Sequence, residues 1–387
     1  MSHIQDLIAK HCPDGVEYRK VSNVMEKVSS KGKLPRSKYE ESGLIEVIDQ
    51  GQDLVAAYSS DLSIANPPAK WILFGDHTRT VKWWEGSFVQ GADGLVPLQL
   101  KIPGNPKFYY YAMKNLDITN RGYNRHWSVV KDMKLPVPPL EVQDEIVRIL
   151  DSFTNLEANL QKELAARRTQ YEYYRDSLLS LENLTSRLGE GIVRLLPLND
   201  VCARVSSGGT PKRSVPGYFG GSIPWIRSTD LNFKSIGSVE GSLTESGLNT
   251  SSAKLIPAGT VLIAMAGATV AKCGITTVEA TTNQNCCALE ADLKQVNPKF
   301  LFHTLCREYK TLMDKAQGTQ QFLNMTRIKQ HEIPVPPLSE QERIVAILDK
   351  FDALVNDLSS GLPAEIAARR KQYEYYRDRL LVFTPSN

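Results

Sequence analysis

One long stretch of this chain occurs twice. Residues 165–176 read AARRTQYEYYRD and residues 367–378 read AARRKQYEYYRD. Upstream of each copy lies a second duplicated block, which reads LPVPPLEVQDEIVRILDSF at 135–153 and IPVPPLSEQERIVAILDKF at 333–351. Near-identity over this length in a chain of 387 residues indicates that a whole structural unit was duplicated. The repeat therefore constrains the architecture before any single element is considered.

Each proline block predicts an extended arm that leads into a long helix. Pro136, Pro138 and Pro139 lack a backbone N–H donor, and Pro139 suits the first turn of a helix. From Glu141 onward, apolar residues recur at steps of three or four over about forty residues. The expected apolar seam of the first helix is Ile146, Leu150, Phe153, Leu156, Leu160, Leu164, Tyr171, Tyr174, Leu178 and Leu181, and that of the second is Ile344, Leu348, Phe351, Leu354, Leu358, Ile366, Tyr373, Tyr376 and Leu380. This spacing is typical of an amphipathic helix that packs against another helix.

The second helix is expected to be interrupted. Its copy carries four more residues than the first between the two duplicated blocks, in the stretch SSGLPAE at 359–365. Gly361 favours the end of a helix, and Pro363 favours the first turn of the next one. We therefore predict a kink or a short break near 360–363 in the second helix only.

The two segments outside the repeat differ in sequence but share an order of features. Both contain short β-rich runs, such as WILFG in the first and GTVLIAMAG in the second, followed by an amphipathic helix and a polar loop. The sequence thus predicts an α+β protein with two mixed α/β domains and two long helices. The predicted segments are a first domain at 1–134, an arm and helix at 135–189, a second domain at 190–332, and an arm and helix at 333–387.

Composition indicates an ordinary globular protein and places few limits on its partners. Hydrophobic residues make up 42% and charged residues 23%, and the net charge is +3, which only permits nucleic-acid binding. No run approaches the ~18 apolar residues of a membrane span, and the first residues do not resemble a secretory signal. We therefore expect a cytoplasmic location without membrane contact.

The cysteines and histidines do not predict a metal site. The six cysteines form no CxxC pair and are expected to be buried free thiols; they are Cys12, Cys202, Cys273, Cys286, Cys287 and Cys306. No histidine pair has the spacing of metal ligands or of a catalytic triad. No metal ligand or catalytic residue is assigned from the sequence.

Asn66-Pro67-Pro68-Ala69 is similar to the NPP-aromatic loop of adenine N6-methyltransferases. In such enzymes an aromatic residue stacks on the flipped base, whereas this chain has Ala69 at that position. A glycine-rich loop for a methyl-donor cofactor is also not visible upstream. An ordinary turn is therefore favoured over a methyltransferase site, which remains the alternative hypothesis.

Several polar loops carry the residue types that contact DNA. They are GDHTRTVKWW (75–84), RGYNRH (121–126), SSGGTPKR (206–213), IRSTD (226–230) and GTQQ (318–321). Lys and Arg suit phosphates or guanine, while Asn and Gln suit adenine. Each loop is also consistent with an ordinary solvated turn. The candidate DNA contacts are Lys33, Arg36, His77, Thr78, Arg79, Arg121, Tyr123, Asn124, Arg125, Thr210, Lys212, Arg213, Arg227, Ser228, Thr229, Gln320 and Gln321.

The layout as a whole resembles the specificity subunits of type I restriction–modification systems. The resemblance covers essentially the entire chain. It is carried by PVPPLEVQDEIVRILD, PVPPLSEQERIVAILD and both AARR…YEYYRD copies, and also by GDHTRTV, PGYFGGSIPWIRSTDL and GTQQFLNMTRI. The insertion in the second helix departs from strict equivalence of the two copies.

The resemblance implies a non-catalytic DNA-recognition subunit. Each variable domain would be a target recognition domain that reads one half of a split double-stranded DNA target. The two helices would pair antiparallel as a coiled-coil spacer with pseudo-two-fold symmetry and bind two methyltransferase subunits. The candidate residues for that contact are Arg167, Arg168, Tyr173, Arg369, Arg370 and Tyr375. S-adenosylmethionine would belong to the methyltransferase subunits, and ATP and Mg²⁺ to restriction subunits, with no cofactor in this chain.

Overall fold

The protein was analysed as a computed structural model, and the structure describes residues 2–316, 322–357 and 359–386. The chain forms two compact units. Unit 1 consists of Met1–Asn159 together with Ile366–Asn387, and unit 2 consists of Leu160–Glu365. These units are defined by spatial contacts, and the four segments expected from the sequence stay predictions.

Unit 1 contains eight strands in its described residues. They are β1 (Tyr18–Lys20), β2 (Met25–Lys27), β3 (Ile45–Ile48), β4 (Ala57–Ser59), β5 (Asn66–Gly75), β6 (Val81–Gln90), β7 (Leu95–Leu100) and β8 (Lys134–Pro136). Its helices are α1 (Ser2–His11), α2 (Val21–Val24), α3 (Pro106–Lys114), α4 (Trp127–Val130) and the first part of α5 (Leu140–Leu178). Most of the last helix, α13 (Leu362–Leu380), also belongs to unit 1.

Unit 2 contains ten strands in its described residues. They are β9 (Arg194–Pro197), β10 (Cys202–Ser207), β11 (Phe219–Ile226), β12 (Lys234–Ile236), β13 (Ser242–Leu243), β14 (Val261–Ala264), β15 (Cys273–Thr276), β16 (Thr281–Thr282), β17 (Cys286–Ala291) and β18 (Glu332–Val335). Its helices, after the second part of α5, are α6 (Leu181–Leu188), α7 (Leu198–Val201), α8 (Glu245–Asn249), α9 (Pro298–Arg307), α10 (Tyr309–Asp314), α11 (Met325–Lys329) and α12 (Leu338–Asn356). The sequence PKFLFHTLCREYKTLMDKA at 298–316 predicts the single amphipathic helix of the second segment, but the structure has two helices there, α9 and α10, which meet at Glu308.

The main sheets of the two units have the same topology. The order is β2-β7-β5-β6-β3-β4 in unit 1 and β10-β17-β14-β15-β12 in unit 2. In both sheets the first four strands pair antiparallel, and the next strand, β3 or β12, pairs parallel with β6 or β15. Unit 1 has one further strand, β4, which pairs antiparallel with β3. Two segments with different sequences therefore form sheets with the same strand order and the same strand directions.

Strand β5 shows how apolar side chains fix this sheet in the core. Ile72 and Phe74 point into the cluster that also contains α3, while Trp71 and Leu73 belong to a second apolar cluster. Alternate residues of a strand face opposite sides of a sheet, so β5 is covered on both faces. The turn that follows β5 is consequently attached to a rigid strand.

The duplicated proline arm forms the same local structure in both copies. β8 pairs with β1, and β18 pairs with β9, as two short antiparallel ribbons. Just inside each following helix, a buried glutamine ties the arm down. The amide nitrogen of Gln143 donates to the Pro138 carbonyl at 2.7 Å, and that of Gln341 donates to Pro336 at 2.8 Å. Each glutamine oxygen also accepts the backbone N–H that precedes α3 or α9.

Each unit contains one antiparallel pair of long helices. In unit 1, Phe153 of α5 stacks on Tyr376 of α13 with ring centroids 5.3 Å apart, and Glu157 pairs with Arg370 at 2.6 Å. The order of contacts falls along α13 as it rises along α5, so the two helices run in opposite directions. Each AARR…YEYYRD copy therefore packs against the proline-block helix of the other copy.

Unit 2 repeats this pairing with the other halves of the duplicated sequence. Tyr174 of α5 stacks on Phe351 of α12 at 5.4 Å, and Arg187 of α6 pairs with Glu340 at 2.9 Å. Tyr171 is buried in the same cluster as Leu348. The two helical stretches again run antiparallel.

The first long helix is continuous and the second is interrupted. α5 runs without a break from Leu140 to Leu178, whereas α12 ends at Asn356 and α13 begins at Leu362. The Asp357 carboxylate accepts hydrogen bonds from the Ser359 backbone N–H and from the hydroxyls of Ser359 and Ser360. The expected apolar seam includes Leu358, which lies outside the described residues.

Four described residues that the spacing places on the apolar seam are exposed to solvent. They are Leu156, Tyr174, Leu181 and Leu354, in contrast to the buried Leu150 and Leu348. A straight helix has 3.6 residues per turn, so a stripe at steps of three and four rotates relative to one partner along a long helix. The seam predicted from spacing alone was wrong at these positions. Among the described residues, no helix is long and apolar enough to cross a membrane.

Candidate nucleic-acid interface

The turn that joins β5 and β6 in unit 1 is held by backbone and side-chain hydrogen bonds. Gly75 N–H donates to the Thr80 carbonyl at 2.8 Å, and Arg79 N–H donates to the Gly75 carbonyl at 2.7 Å. Arg79 adopts a left-handed backbone with φ of 62°, which is rare for a residue with a side chain. The hydroxyls of Thr78 and Thr80 donate to the Gln50 carbonyl. These two threonines therefore brace the turn.

The second predicted loop of unit 1 folds onto this turn. The Tyr123 ring stacks on the His77 ring, with centroids 4.5 Å apart and planes at 11°. The Arg79 guanidinium donates to the Ile118 carbonyl at 2.9 Å. Tyr123 itself is 85% exposed, so the stack presents an aromatic face to solvent. The structure thus joins two loops that lie about forty residues apart in the sequence.

Asp76 and His126 anchor the base of this second loop. One carboxylate oxygen of Asp76 accepts the Trp127 N–H at 2.7 Å, and the Asp76 carbonyl accepts both the backbone N–H and Nδ1 of His126 at 2.8 Å. Since a carbonyl oxygen only accepts, Nδ1 carries the hydrogen. Nε2 is then the acceptor for the Arg121 N–H at 3.2 Å. A neutral, fully buried histidine fixes the start of the loop.

Three predicted DNA-contacting cations of unit 1, Lys33, Arg36 and Arg125, lie around these loops with exposed side chains. Lys33 pairs with Asp93 at 2.6 Å, Arg36 lies 3.6 Å from the Asp49 carboxylate, and Arg125 lies 4.0 Å from the Asp76 carboxylate. The hydrogen bond from Lys33 lowers the pKa of Asp93, and Arg125 adds to this effect. The remaining predicted residues, Arg121 and Asn124, are exposed. The structure therefore brings the unit 1 candidates together on one surface.

Unit 2 closes a longer turn, 264–272 instead of 75–80, with the same pair of backbone hydrogen bonds. Ala264 N–H donates to the Lys272 carbonyl at 2.9 Å, and Ala271 N–H donates to the Ala264 carbonyl at 2.8 Å. Ala271 has a φ of 63°, which matches the left-handed Arg79 of unit 1. Met265 donates to Asn285 and accepts from Leu323, each at 2.8 Å, as Asp76 donates to Gly94 and accepts from His126. The residues that follow β14 therefore correspond to GDHTRT, although the two sequences are unlike.

Three further segments of unit 2 meet beside this turn. The Thr210 hydroxyl donates to the Gln284 side chain at 2.5 Å, the Trp225 indole donates to the Gly209 carbonyl at 3.1 Å, and Asn283 N–H donates to Ile226 at 3.0 Å. A side chain at Gly208 would meet the Thr282 carbonyl oxygen at 2.0 Å, so only glycine permits this approach.

The predicted residues of unit 2 fall into three groups. Lys212, Arg213 and Thr229 are exposed, Arg227 and Thr210 are half-buried, and Ser228 is buried in a short 3-10 turn. The Arg227 guanidinium contacts the Asp230 carboxylate at 3.4 Å. Gln320 and Gln321 lie outside the described residues. The described candidates of unit 2 thus adjoin the β14–β15 turn through the 206–213 and 226–230 loops.

Sequence reasoning missed several polar residues of these surfaces. In unit 2 the Asn283-Gln284-Asn285 triplet and Lys272 line the turn, and in unit 1 Gln50 braces it. The triplet could have been found from the sequence, because three consecutive amide side chains stand between two apolar strands and amides form hydrogen bonds with adenine. Gln50 carried no such signal, because its contact is made across the sheet.

The predicted partner-binding residues lie on the two AARR…YEYYRD copies and are not equivalent. Arg167 and Arg369 each donate to the glutamine three residues ahead. Both Arg370 and its counterpart Arg168 are exposed, but only Arg370 forms an ion pair among the described residues, with Glu157.

The exposed tyrosines of the two copies also differ. Tyr375 is 55% exposed and lies under the Arg379 guanidinium, which is 5.3 Å from its ring. The counterpart Tyr173 is 69% exposed, and Ser177 takes the place of that arginine. The surface in unit 1 is therefore partly occupied by contacts within the chain.

The Asn-Pro-Pro-Ala stretch is part of a strand, so the turn expected there was wrong. Asn66 opens β5, is buried, and donates its amide to the Phe88 carbonyl at 3.2 Å. Because the Asn66 amide is buried and hydrogen-bonded within the sheet, it is not positioned to bind a flipped base. Among residues 2–316, 322–357 and 359–386, no cluster of His, Cys, Asp or Glu has the composition of a metal site. The six cysteines are free thiols, five of them buried and Cys202 half-buried.

Comparison with known proteins decides the family. The model of the type I restriction–modification DNA specificity domain matches residues 13–166 and 194–368, once in each half of the chain. The chain belongs to this family. A specificity subunit of the type I restriction enzymes EcoR124I and EcoR124II of Escherichia coli is 34% identical over 373 residues, with 89% of this chain and 88% of the relative covered.

Solved structures support the fold of this specificity subunit. The crystal structure of a type I restriction–modification S subunit from M. genitalium matches with a TM-score of 0.61 at 16% identity and covers 95% of this chain and 96% of that one. A chain from a structural study of assembly and conformational transition of the type I system matches with a TM-score of 0.56 at 16% identity, covering 96% and 98%. The α+β fold with two repeated domains and long helices, predicted from the sequence, is confirmed.

Proposed function

We propose that each unit of this specificity subunit reads one half of a split double-stranded DNA target. The observation that carries the proposal is the shared turn after β5 and β14. Both turns have the same hydrogen-bond frame and the same left-handed position, but they present different side chains. A common frame with variable side chains is what two different half-sites require, because base edges are distinguished by side-chain donors and acceptors.

The charges around the turn in unit 1 support a role in phosphate contact. Lys33, Arg36 and Arg125 have exposed side chains, and their carboxylate partners leave most of each cation open to solvent. Phosphate contacts supply much of the affinity for DNA and set the register of a protein on the duplex. The exposed Tyr123 ring and the Asn124 amide adjoin these cations and suit base contacts.

The helical part of each unit is proposed to bind one methyltransferase subunit. The AARR…YEYYRD copies are nearly identical, so they can present similar surfaces to two copies of one partner. Restriction subunits would join through that assembly. S-adenosylmethionine, ATP and Mg²⁺ would act in those partners, and this chain would contribute recognition rather than catalysis.

A domain exchange tests whether each unit reads its own half of the DNA target. Residues 190–332 are replaced by the corresponding segment of another specificity subunit, and modified adenines are mapped genome-wide with each version. We expect one half of the gapped motif to change and the other half, with the spacing, to persist. A change in both halves would contradict the proposal.

The alternative, a self-sufficient DNA adenine methyltransferase, is separated by a binding measurement. The purified chain alone is irradiated with labelled S-adenosylmethionine, beside the chain bound to its methyltransferase subunit. We expect label only on the methyltransferase subunit. Label on this chain would support the alternative.

A further inference from the structure

The two main sheets differ at one edge. In unit 1 the parallel strand β3 is covered on its outer side by β4, with Val47 opposite Ala57 and Ile45 opposite Ser59. In unit 2 the corresponding strand β12 is the last of its sheet among the described residues. An uncovered edge presents backbone donors and acceptors that another strand can pair with.

The space beside β12 is a large groove. It has a volume of about 1290 Å³ and is lined along one side by consecutive residues of β12 and the following loop, from Lys234 to Glu240. The helix α12 forms the opposite wall with Asp349 and Asp352, and Phe302 of α9 also lines it. Consecutive strand residues alternate between the two faces of a sheet, so a groove that touches all of them includes the free edge of β12. Ile275 of β15 also lines it, so the groove continues from that edge onto the sheet face that α9 and α12 cover.

The groove carries more negative than positive charge. Five carboxylates and three lysines line it. Asp349 is paired with Lys299 at 2.5 Å, and Asp230 lies beside Arg227. Asp352 and Glu240 form no ion pair within the described part of the chain. DNA phosphates are disfavoured in such a groove, while a basic peptide gains favourable contacts.

We propose that β12 binds an extended, basic segment of the methyltransferase subunit as an additional antiparallel strand. The inference rests on the proposed binding of that subunit. The segment occupies the place that β4 occupies in unit 1, and its backbone pairs with residues 234–236. Its basic side chains face Asp352 and Glu240. Strand addition to an exposed edge is a general mode of peptide recognition, in which backbone bonds give affinity and side chains give specificity.

The consequence is a difference between the two halves of the complex. Unit 1 fills this edge with its own chain, so the additional contact is available only in unit 2. The groove also includes Thr229 and Lys272, which adjoin the β14–β15 turn. The bound segment therefore lies next to the DNA-contacting surface of unit 2.

Hydrogen exchange on the full chain tests the proposal. Exchange of the peptide that covers 233–240 is compared for the chain alone, with the methyltransferase subunit, and with target DNA only. We expect slowing by at least about tenfold with the methyltransferase subunit and no change with DNA alone, because pairing protects backbone amides from exchange. β3 is the internal control, since β4 already covers it and its exchange is unchanged by the partner.

Charge reversal tests whether basic side chains of the bound segment contact Glu240 and Asp352. The double variant Glu240→Lys and Asp352→Lys is expected to lose the protection at 233–240 and to bind the methyltransferase subunit on the order of tenfold more weakly. Glu279→Lys, which reverses an exposed carboxylate of unit 2 outside the groove, serves as the matched control and is expected to leave both unchanged.

Each other outcome contradicts the inference in a recognisable way. A stable complex without protection at 233–240 overturns the inference and leaves the proposed function standing. Protection that survives charge reversal excludes a basic segment. Protection that depends on the concentration of the chain alone indicates a second copy, and protection by DNA alone indicates DNA. Failure to bind the methyltransferase subunit at all overturns both the inference and the proposed function.

Discussion

Single buried polar residues determine where the variable loops of this specificity subunit lie. Three hydrogen bonds that Asp76 accepts from His126 and Trp127 join two loops of unit 1, and a fourth, between Arg121 and His126, closes the second loop. Gln143 and Gln341 join each proline arm to its domain. Buried polar groups are costly unless they are paired, so each of these residues favours one arrangement of the chain around it. The exposed residues proposed to contact DNA depend on these anchors.

Asp76→Ala is expected to destabilise unit 1 by about 2 kcal/mol, because it removes a charged acceptor from the Trp127 N–H. Denaturant unfolding followed by tryptophan fluorescence measures this, since Trp71, Trp83, Trp84 and Trp127 lie in unit 1. Asp76→Asn keeps an acceptor oxygen and is the matched control, with a smaller loss. Equal losses for the two variants would contradict the assigned hydrogen bond.

His331 makes unit 2 sensitive to pH. Its pKa lies at about 4, below the ordinary value of 6.5, because burial disfavours the charged ring and the Lys315 ammonium repels it. The Lys315 ammonium donates to Nδ1 at 2.7 Å, which also requires the neutral ring. The unfolded chain binds a proton below pH 6.5 while the folded chain does not until about pH 4. This contribution to stability is therefore complete above 6.5 and is lost as the pH falls.

Between pH 7 and pH 5, the free energy of unfolding of unit 2 is expected to fall by about 2 kcal/mol because of His331 alone. The measurement compares denaturant unfolding of the wild type and His331→Gln at both pH values. The variant is expected to lose most of this pH dependence. The same pH dependence in both proteins would show that other groups are responsible.

At the scale of elements, the duplicated helices are alike in sequence but not in continuity. α5 is unbroken, whereas in the second copy α12 ends at Asn356 and α13 begins at Leu362. Gly361 packs against the end of α12, where an added Cβ would lie 2.5 Å from the Ala353 carbonyl oxygen. Backbone-to-backbone packing of this kind accepts glycine alone.

Gly361→Ala is expected to destabilise unit 2 by roughly 1–3 kcal/mol, because the clash is with backbone that cannot rotate away. Thermal unfolding monitored by hydrogen exchange in unit 2 provides the measurement. Gly217→Ala is the matched control, since a Cβ at Gly217 meets no atom within 4 Å. Tolerance of both substitutions would indicate that the break can relax.

At the scale of the whole molecule, unit 1 is built from two segments that are distant in the sequence, whereas unit 2 is one continuous segment. Tyr373, Leu380, Leu381 and Phe383 come from the end of the chain and are buried in the core of unit 1, beside Val142 and Ile146 of α5. Burial of one such side chain contributes roughly 1.5–3 kcal/mol. Unit 1 therefore depends on residues that follow the whole of unit 2 in the sequence.

Truncation after Glu365 is expected to unfold unit 1 or to make it aggregate, because it opens this core. Tryptophan fluorescence reports the loss, since four of the five tryptophans lie in unit 1. A peptide of residues 366–387 added in excess should restore part of the signal. A truncated chain with normal unfolding of unit 1 would contradict the proposed contribution of the C-terminal segment.

The sequence by itself determined the duplicated helices, their interruption near Gly361 and the family. These features are local or repetitive: apolar spacing defines a helix, Gly and Pro interrupt it, and near-identical motifs identify a common unit. The sequence also indicated the polar loops of unit 1, because GDHTRT and RGYNRH have unusual composition.

Only the tertiary structure decided which parts meet. Spacing shows that a helix has an apolar face but not which helix covers it. The antiparallel pairing of the two long helices was expected only from the family resemblance, and the contacts that make it, such as Phe153 with Tyr376 and Tyr174 with Phe351, are known from the structure. The turns after Gly75 and Ala264 share hydrogen bonds and a left-handed residue but no sequence pattern, because backbone geometry is compatible with many side chains. For the same reason, the uncovered edge at β12 became visible only beside the covered edge at β3.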